Sequence, residues 1–358
     1  MGMMNFKVEK RVETSRFLYI FYIGALILGM LAASLFFSVR GINPLFALSK
    51  IFMGAFGSAL GIRETIAKSI PLMLCATGLI IAFRGKFWNI GAEGQLLIGA
   101  MFATWIGLRF GASHGPLFVI PLMFLSGFAG GALWGIIPAV LKVKFGVNEV
   151  IATIMLNYIA SNLIQYLVYG PWKGKTHYGF PYTDDFAPSA RLPLIPGTRI
   201  HYYTLIIAIL LAIATYFFIN RVKYGYEIKV TGENPEAARY SGMNFLKITI
   251  ITLILSGGFA GIAGVGEVAG IHFHLTYPDQ ISAGYGFTAI IIAWLSRLNP
   301  LLAIFVSFFF GGILVGGDVI QTSFGLPAAT INIFNSLILI FVLMGTFFME
   351  YRVSFAKE

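Results

Sequence analysis

The chain has 358 residues, of which 58% are hydrophobic and 11% are charged, and its mean hydropathy is +0.82. Soluble domains carry about 25% charged residues, so this composition excludes a soluble enzyme, a disordered chain and an extracellular disulfide scaffold. The net charge of +10 comes from short basic clusters between apolar runs, a pattern typical of membrane-protein loops and not of nucleic-acid binding.

The apolar runs predict an all-α integral membrane protein, because a helix needs about 20 apolar residues to cross a bilayer. We predict ten spans, over 18–39, 65–83, 88–110, 117–141, 150–169, 202–220, 248–270, 284–297, 300–317 and 327–349. The eighth and ninth are short and separated by Asn299-Pro300, which predicts tilted helices or two halves of a bent hairpin. Residues 18–349 would form one polytopic domain, flanked by cytoplasmic tails over 1–17 and 350–358.

The distribution of Lys and Arg predicts the orientation of these spans. With the N-terminus inside, the inner segments hold 16 of the 25 basic residues and the outer segments hold 9. Inner loops of membrane proteins are enriched in Lys and Arg. We therefore expect both termini on the cytoplasmic side.

Three loops are long. The outer loop 40–64 contains an apolar stretch, which predicts a helix on the membrane surface or a re-entrant segment. The outer loop 170–201 is rich in Pro, Gly and Tyr and is predicted to form a cap. The cytoplasmic loop 221–247 is polar.

Glycine is concentrated in the fourth and seventh spans. Small residues four positions apart let helix backbones approach closely, so we expect tight packing of these two helices. One glycine-rich helix in each half of the chain also suggests a two-fold internal repeat, as in many transporters.

The cytoplasmic loop contains one predicted helix of about two turns. Asn234 is suited to cap it, Pro235 to begin it and Gly242 to end it. A helix this short is marginal alone. It is either an ordinary capped loop helix or a helix stabilised by docking to a cytoplasmic partner.

This segment resembles the coupling loop of ATP-binding-cassette (ABC) importer permeases of the sugar, nucleoside and branched-chain amino acid group. The resemblance rests on the spacing of Gly232, Asn234, Ala237, Ala238 and Gly242, while Lys229 stands where an arginine is expected. It implies that an ATPase subunit contacts this loop. The implied contact residues are Lys229, Gly232, Glu233, Asn234, Pro235, Glu236, Ala237, Ala238, Arg239 and Gly242.

Further segments carry the same resemblance. Residues 87–95 are similar to the most recognisable stretch of the group, and 284–287 and 299–300 also fit, although Thr288 replaces an expected acidic residue. Residues 146–158, 170–172 and 191–193 are similar to the nucleoside branch, whose permeases work with a basic membrane lipoprotein.

The resemblance implies a permease subunit in the cell membrane that has no catalytic residues of its own. ATP and Mg would be bound by a partner ABC ATPase. A second permease subunit, either a copy or a paralogue, would complete the path, and an extracytoplasmic substrate-binding lipoprotein would deliver the solute. Contact with membrane lipid is also expected, and contact with nucleic acid is not.

Polar residues inside spans are costly in lipid and tend to face a cavity. The candidates for the substrate path are Asn89, Glu93, Gln95, Asn157, Asn162, Asn332 and Asn335. Glu93 lies near a helix N-terminus and could instead bind neighbouring backbone amides. Asn157 and Asn162 point about 140° apart on one helix, which argues against a single path for both.

A nucleoside is the favoured solute, since amide side chains with aromatic neighbours suit a purine riboside. A monosaccharide is the near alternative, and an ion-coupled secondary transporter is a second class, for which Glu93 and Glu267 would be the coupling acids. No metal site is expected, because His272 and His274 have no accompanying acidic or cysteine cluster. Cys75 is predicted to be a small apolar core residue.

Overall fold

The computed structural model describes residues 5–10, 19–39, 41–175 and 178–356. Within these ranges the protein is built of fourteen α-helices and two short strands. The helices are α1 (Tyr19–Ser38), α2 (Pro44–Phe56), α3 (Ala59–Arg84), α4 (Ala92–Phe110), α5 (Pro116–Phe145), α6 (Glu149–Tyr169), α7 (Tyr202–Arg221), α8 (Lys223–Glu233), α9 (Pro235–Tyr240), α10 (Phe245–Gly266), α11 (Pro278–Ile281), α12 (Tyr285–Leu295), α13 (Pro300–Phe324) and α14 (Ala328–Glu350).

The strands are β1 (Asn5–Lys10) and β2 (Tyr351–Ala356), which pair antiparallel with Val8 opposite Val353. The predicted all-α class is confirmed for the rest of the described chain, and these two short strands are an addition to it. Their alternating residue pattern lies outside the apolar runs that the prediction used, so it was missed.

Six helices in the described part of the chain are long and apolar enough to cross a membrane. They are α3, α5, α6, α7, α13, and α10 together with the turn of π-helix, Glu267–His272, that follows it. The protein is therefore a multi-pass membrane protein. The full count of ten spans, their orientation and the internal repeat stay predictions.

Several helix boundaries differ from the predicted ones, and α3, for example, begins at Ala59 and not at 65. α4 begins at Ala92 and not at 88, because residues 85–91 form a turn in which Lys86 has a φ of +49°. α13 continues to Phe324 instead of ending at 317, since Gly316, Gly317 and Asp318 do not interrupt the helix. α12 has 11 residues, in agreement with the short eighth span.

The chain divides into two compact units, residues 1–62 with 312–358 and residues 63–311. In the first unit α1 packs against α14, with the rings of Phe37 and Phe334 5.4 Å apart. α2 lies in the predicted outer loop 40–64 and buries Ala47, Ile51 and Ala55. Asn43 caps it by accepting hydrogen bonds from the backbone N–H groups of Leu45 and Phe46.

The core of the second unit is a contact of glycine surfaces among α4, α5 and α10. A Cβ on Gly261 of α10 would collide with the carbonyl oxygen of Gly127 of α5, and one on Gly131 would collide with that of Gly257. Gly99 of α4 lies against the same part of α10. The predicted tight packing of the two glycine-rich helices is confirmed, and only glycine permits this approach of backbones.

Candidate functional site

The segment between α7 and α10 contains the predicted short helix. Asn234 Oδ1 accepts a hydrogen bond of 3.0 Å from the backbone N–H of Ala237, α9 begins at Pro235, and Gly242 has a φ of +73°. The sequence missed α8, which precedes it. Two glycines and three β-branched residues make α8 a weak helix alone, so its stability comes from packing of its buried side.

α8 lies against the C-terminal end of α3. A Cβ on Gly232 would collide with the carbonyl oxygen of Arg84, and Ile228 of α8 lies beside Gly85. The guanidinium of Arg84 in turn donates a hydrogen bond of 3.1 Å to the carbonyl oxygen of Leu298, in the turn between α12 and α13. We call this end of the second unit the coupling end.

The ten predicted coupling residues divide into an inner and an outer set. Gly232 and Ala238 are buried, and Ala237 and Lys229 are half-buried, with Lys229 Nζ donating to Asn220 Oδ1 at 2.9 Å. The other six are exposed: Glu233, Asn234, Pro235, Glu236, Arg239 and Gly242. Tyr240, which the sequence reasoning did not include, has 93% of its surface exposed. α9 therefore presents a charged and aromatic surface.

The helices α4 and α12 meet at their N-termini. Eleven residues of helix extend about 16 Å, roughly half the thickness of the hydrocarbon core, so α12 does not cross it alone. The carboxylate of Glu93 in α4 accepts a 2.7 Å hydrogen bond from the backbone N–H of Gly286, and Ser282 Oγ accepts one from Tyr285. Glu93 thus binds a backbone amide, but that amide belongs to α12 and not to the neighbouring residues of its own helix.

Around the start of α4, Asn89 and Gln95 bond to each other and Asn157 bonds to the backbone beside them; we call these three residues the buried network. Asn89 Nδ2 donates to Gln95 Oε1 and to Ser256 Oγ of α10, each at 3.0 Å. Asn157 of α6 accepts from the N–H of Gly94 and donates to the carbonyl oxygen of Ile90, each at 2.9 Å. The network satisfies the backbone where the chain is not helical, which a membrane interior requires.

Asn162 lies on the other side of α6, as the predicted angular separation from Asn157 requires. Its side chain is exposed and donates to the carbonyl oxygen of Tyr158, one turn earlier. It belongs to a row of exposed residues along the whole helix, which we call the α6 face. The α6 face consists of Ile151, Met155, Tyr158, Ile159, Asn162, Gln165, Tyr166 and Tyr169.

Asn332 and Asn335 belong to α14, and their side chains lie outside the described part of the structure. Of the seven predicted path residues, Asn89, Gln95 and Asn157 thus lie in the buried network, and Asn162 lies on the α6 face. Glu93 of α4 binds the backbone of α12 through its carboxylate. The sequence reasoning missed three tyrosines of that face, although their spacing from Asn162 at 158, 166 and 169 was readable.

The loop 170–201 covers the end of α10 that is opposite the coupling end. Backbone N–H groups of Thr183, Phe186 and Leu192 donate to the carbonyl oxygens of Leu275, Phe273 and Ala269, at 2.7–3.0 Å. We call this the cap end. Among the described residues of the loop, Pro188–Ala190 form a 3₁₀ turn and most of the others are irregular.

His201, which precedes α7, is completely buried at the cap end, and neither ring nitrogen has a hydrogen-bond partner. Its ring packs against Gly266 and Gly270. Burial lowers the pKa of His201 to about 4, and the nearby positive charge of Arg199 adds to this shift. The imidazole is therefore neutral at physiological pH.

The other histidines of the cap end form no metal-binding group among the described residues. His274 Nδ1 lies 3.2 Å from Asp185 Oδ1, and the rings of His272 and His274 are 6.3 Å apart. Cys75 is buried in α3.

Two cavities lie outside the predicted path residues. One, of about 970 Å³, is an apolar groove between α5 and α7. The other, of about 480 Å³, lies at the cap end and is lined by Trp172, Lys173 and Asp184 among others. Neither is lined by a residue of the α6 face or of the buried network.

A family of permease components of branched-chain amino acid transport systems matches residues 61–343. A glucose ABC transporter permease of Haloferax volcanii is 34% identical over 88% of this chain and 85% of its own length. A guanosine ABC transporter permease of Bacillus subtilis is 33% identical over 89% and 91%. A nucleoside ABC transporter permease of Lactococcus lactis is 29% identical over 93% and 92%.

Among solved structures, a putative metal-chelate type ABC transporter in an inward-facing conformation aligns with 92% of this chain and 98% of its own. The sequence identity is 14% and the TM-score is 0.45.

Proposed function

This chain belongs to the permease-component family of branched-chain amino acid transport systems, and we propose that it is the membrane-spanning subunit of an ABC importer for a nucleoside. The observation that carries the transport role is the α8–α9 segment: a capped helix with an exposed charged surface, joined through α8 to the end of a membrane-spanning helix. The match to the family and the ABC permease relatives support the same role.

In this proposal the exposed surface of α9 contacts a cytoplasmic ABC ATPase, which binds ATP and Mg and performs the hydrolysis. α9 is too short to be stable as an isolated helix. Docking of a partner on its exposed side would stabilise it. The buried residues Gly232 and Ala238 pack α8 and α9 against the rest of the permease.

The α6 face is proposed to line the substrate path. Asn162, Gln165 and the tyrosine hydroxyls would be costly against lipid, yet their side chains are exposed in the single chain. A second permease subunit, either a copy or a paralogue, would cover the face and enclose the path. The apolar groove between α5 and α7 suits lipid instead.

The hydrogen bonds at the N-termini of α4 and α12 favour a neutral solute over an anionic one. Half-helix N-termini inside transporters commonly bind anionic groups of substrates. Here Asn157 and Glu93 already accept hydrogen bonds from Gly94 and Gly286. Because these sites are filled by the protein's own acceptors, a nucleoside fits the proposal better than a nucleotide.

The location follows from the role: a multi-pass protein of the cell membrane, with α9 inside and the cap end outside. A substrate-binding lipoprotein would deliver the nucleoside to the cap end. Glucose or a related monosaccharide is the second candidate, and the 34% identity to a glucose ABC transporter permease favours it.

The test is ATP-dependent uptake into proteoliposomes that contain this permease, its partner subunits and the binding protein. We expect radiolabelled guanosine to accumulate and glucose to be excluded. Uptake of glucose without guanosine would replace the nucleoside proposal by the sugar one, and uptake driven by an ion gradient without ATP would overturn the ABC role.

One substitution tests the proposed docking surface of α9 separately. Glu236→Arg reverses an exposed charge on α9 and should reduce copurification of the ATPase while leaving the amount of folded permease unchanged. Lys173→Glu, a charge reversal at the cap end, is the matched control and should copurify normally. Equal copurification of both variants would contradict the docking role of α9.

A further inference from the structure

The α6 face ends at the cap end in a group of aromatic rings. This aromatic cluster consists of Tyr169, Phe180, Tyr182, His274 and Tyr277. Its members come from three separate segments, namely the end of α6, the loop 170–201 and the segment between the π-helical turn and α11. The fold therefore brings these rings together from distant parts of the chain.

Tyr169 combines an exposed ring with a fixed position. More than half of its surface, 56%, is exposed. Its hydroxyl lies 2.8 Å from that of Tyr277, and the two rings meet edge to face with centroids 5.7 Å apart. An exposed tyrosine normally loses rotamer freedom when a ligand binds. Here the tether to Tyr277 has already restricted that freedom.

The tether continues into the cap. Tyr277 meets Tyr182 edge to face at 6.3 Å, and Tyr182 stacks on His274 at 4.9 Å. His274 is bound to Asp185 through Nδ1. The hydrogen bond to Tyr169 also raises the pKa of Tyr277, so this phenol stays protonated at physiological pH. Tyr169 is thus held by a continuous series of contacts that begins at the hydrogen bond between His274 and Asp185.

The same helix places further exposed groups below Tyr169. Tyr166 is 67% exposed one turn earlier, and Asn162 and Gln165 follow on the same face. A belt of tyrosines at the membrane surface would need no amides beneath it. An aromatic plane followed by hydrogen-bonding amides matches a ligand that has a flat ring and a polar remainder.

We propose that Tyr169, positioned by Tyr277, is the entry subsite of the path and stacks on the base of a purine nucleoside. This inference rests on the proposed importer function and deepens it. Stacking on an aromatic side chain is available to every base, whereas a monosaccharide has no such plane. The subsite would therefore favour nucleosides over free sugars at the first step inside the permease.

The test uses the complete reconstituted transporter with guanosine uptake and the photoreactive probe 8-azidoguanosine. Tyr169→Ala should lower the rate of guanosine uptake about tenfold, the effect typical of losing one base–aromatic stacking contact. Tyr169→Phe keeps the ring and should retain most of the uptake. Tyr277→Phe removes the same hydroxyl–hydroxyl contact as Tyr169→Phe and keeps both rings, so these two variants should retain similar uptake. Tyr178→Ala, at a tyrosine that is 98% exposed in the same cap, is the control and should match wild type.

Illumination should attach the probe to the peptides that contain Tyr169 or Tyr277, and Tyr169→Ala should abolish this labelling. Uptake by Tyr169→Ala within twofold of wild type, equal loss in Tyr169→Phe, or labelling confined to other peptides would each overturn the subsite. If Tyr169→Ala does not assemble with the ATPase, Tyr169→Phe and the labelled peptides decide. Absence of ATP-dependent guanosine uptake by wild type would instead be a failure of the proposed function.

Discussion

The helices α6 and α10 are both apolar enough to cross a membrane, but their environments are opposite. Of the most apolar window of each helix, 78% is buried in α10 and 33% is buried in α6. Glycines line the contact surface of α10, which touches backbone atoms of α5 directly, whereas tyrosines and amides line the α6 face. Within a membrane helix, the size and polarity of the residues along one face indicate its neighbour better than total hydropathy does.

The largest effect is expected on the α10 side. Gly261→Leu would place a side chain into the carbonyl oxygen of Gly127, where no side-chain rearrangement makes room. We expect a loss of more than about 4 kcal/mol of stability and little folded protein, measured by size-exclusion chromatography of a fluorescent fusion. Gly115→Leu is the control, because a Cβ there meets nothing within 4 Å. A monodisperse Gly261→Leu protein would refute the backbone contact.

The same change, from Asn to Leu, on the buried side and on the exposed side of α6 tests whether the two sides have different roles. Asn157→Leu removes two buried hydrogen bonds and leaves their partners on Gly94 and Ile90 without an acceptor or donor. This should cost about 3 kcal/mol and lower the melting temperature. Asn162→Leu should leave the melting temperature nearly unchanged and reduce transport, since the α6 face is proposed to line the path. Similar melting temperatures for both variants would contradict the assignment of inner and outer sides.

The smallest effect concerns acid sensitivity at the end of α10. The pKa of His201 is about 4 in the folded protein and about 6.5 when unfolded. Between these values the unfolded state binds more protons, so stability is full above pH 6.5 and falls as the pH drops towards 4. At pH 5 the loss should be on the order of 2 kcal/mol. His201→Leu should flatten the melting temperature between pH 7 and pH 5, whereas the same change at exposed His114 should not. An unchanged slope in His201→Leu would count against this burial effect.

Local sequence signals predicted several features that the structure confirms. Asn234 and Pro235 predicted the start of α9 because capping depends on a few adjacent residues. The glycines of the fourth and seventh spans predicted the α5–α10 contact, and Asn299-Pro300 predicted the separation of two helices.

Features that depend on tertiary packing could not be predicted from the sequence. α8 is stabilised by its contact with α3, not by its own helix propensity, and nothing in the sequence of 221–233 indicates that contact. The network of Asn89, Gln95 and Asn157 joins three helices that lie far apart along the chain. Sequence reasoning singled out these polar residues but could not separate those that bind each other from those that face outwards.

The contact of Gly232 with the carbonyl oxygen of Arg84 has a mechanical consequence. Backbone meets backbone at this point, so no side chain can yield by changing rotamer when α8 is displaced. The Arg84 side chain then connects the same point to the carbonyl oxygen of Leu298, and α12 rests on Glu93 at its other end. A small displacement of α8 would therefore be transmitted to the end of α3 and, through Arg84, to the turn that follows α12.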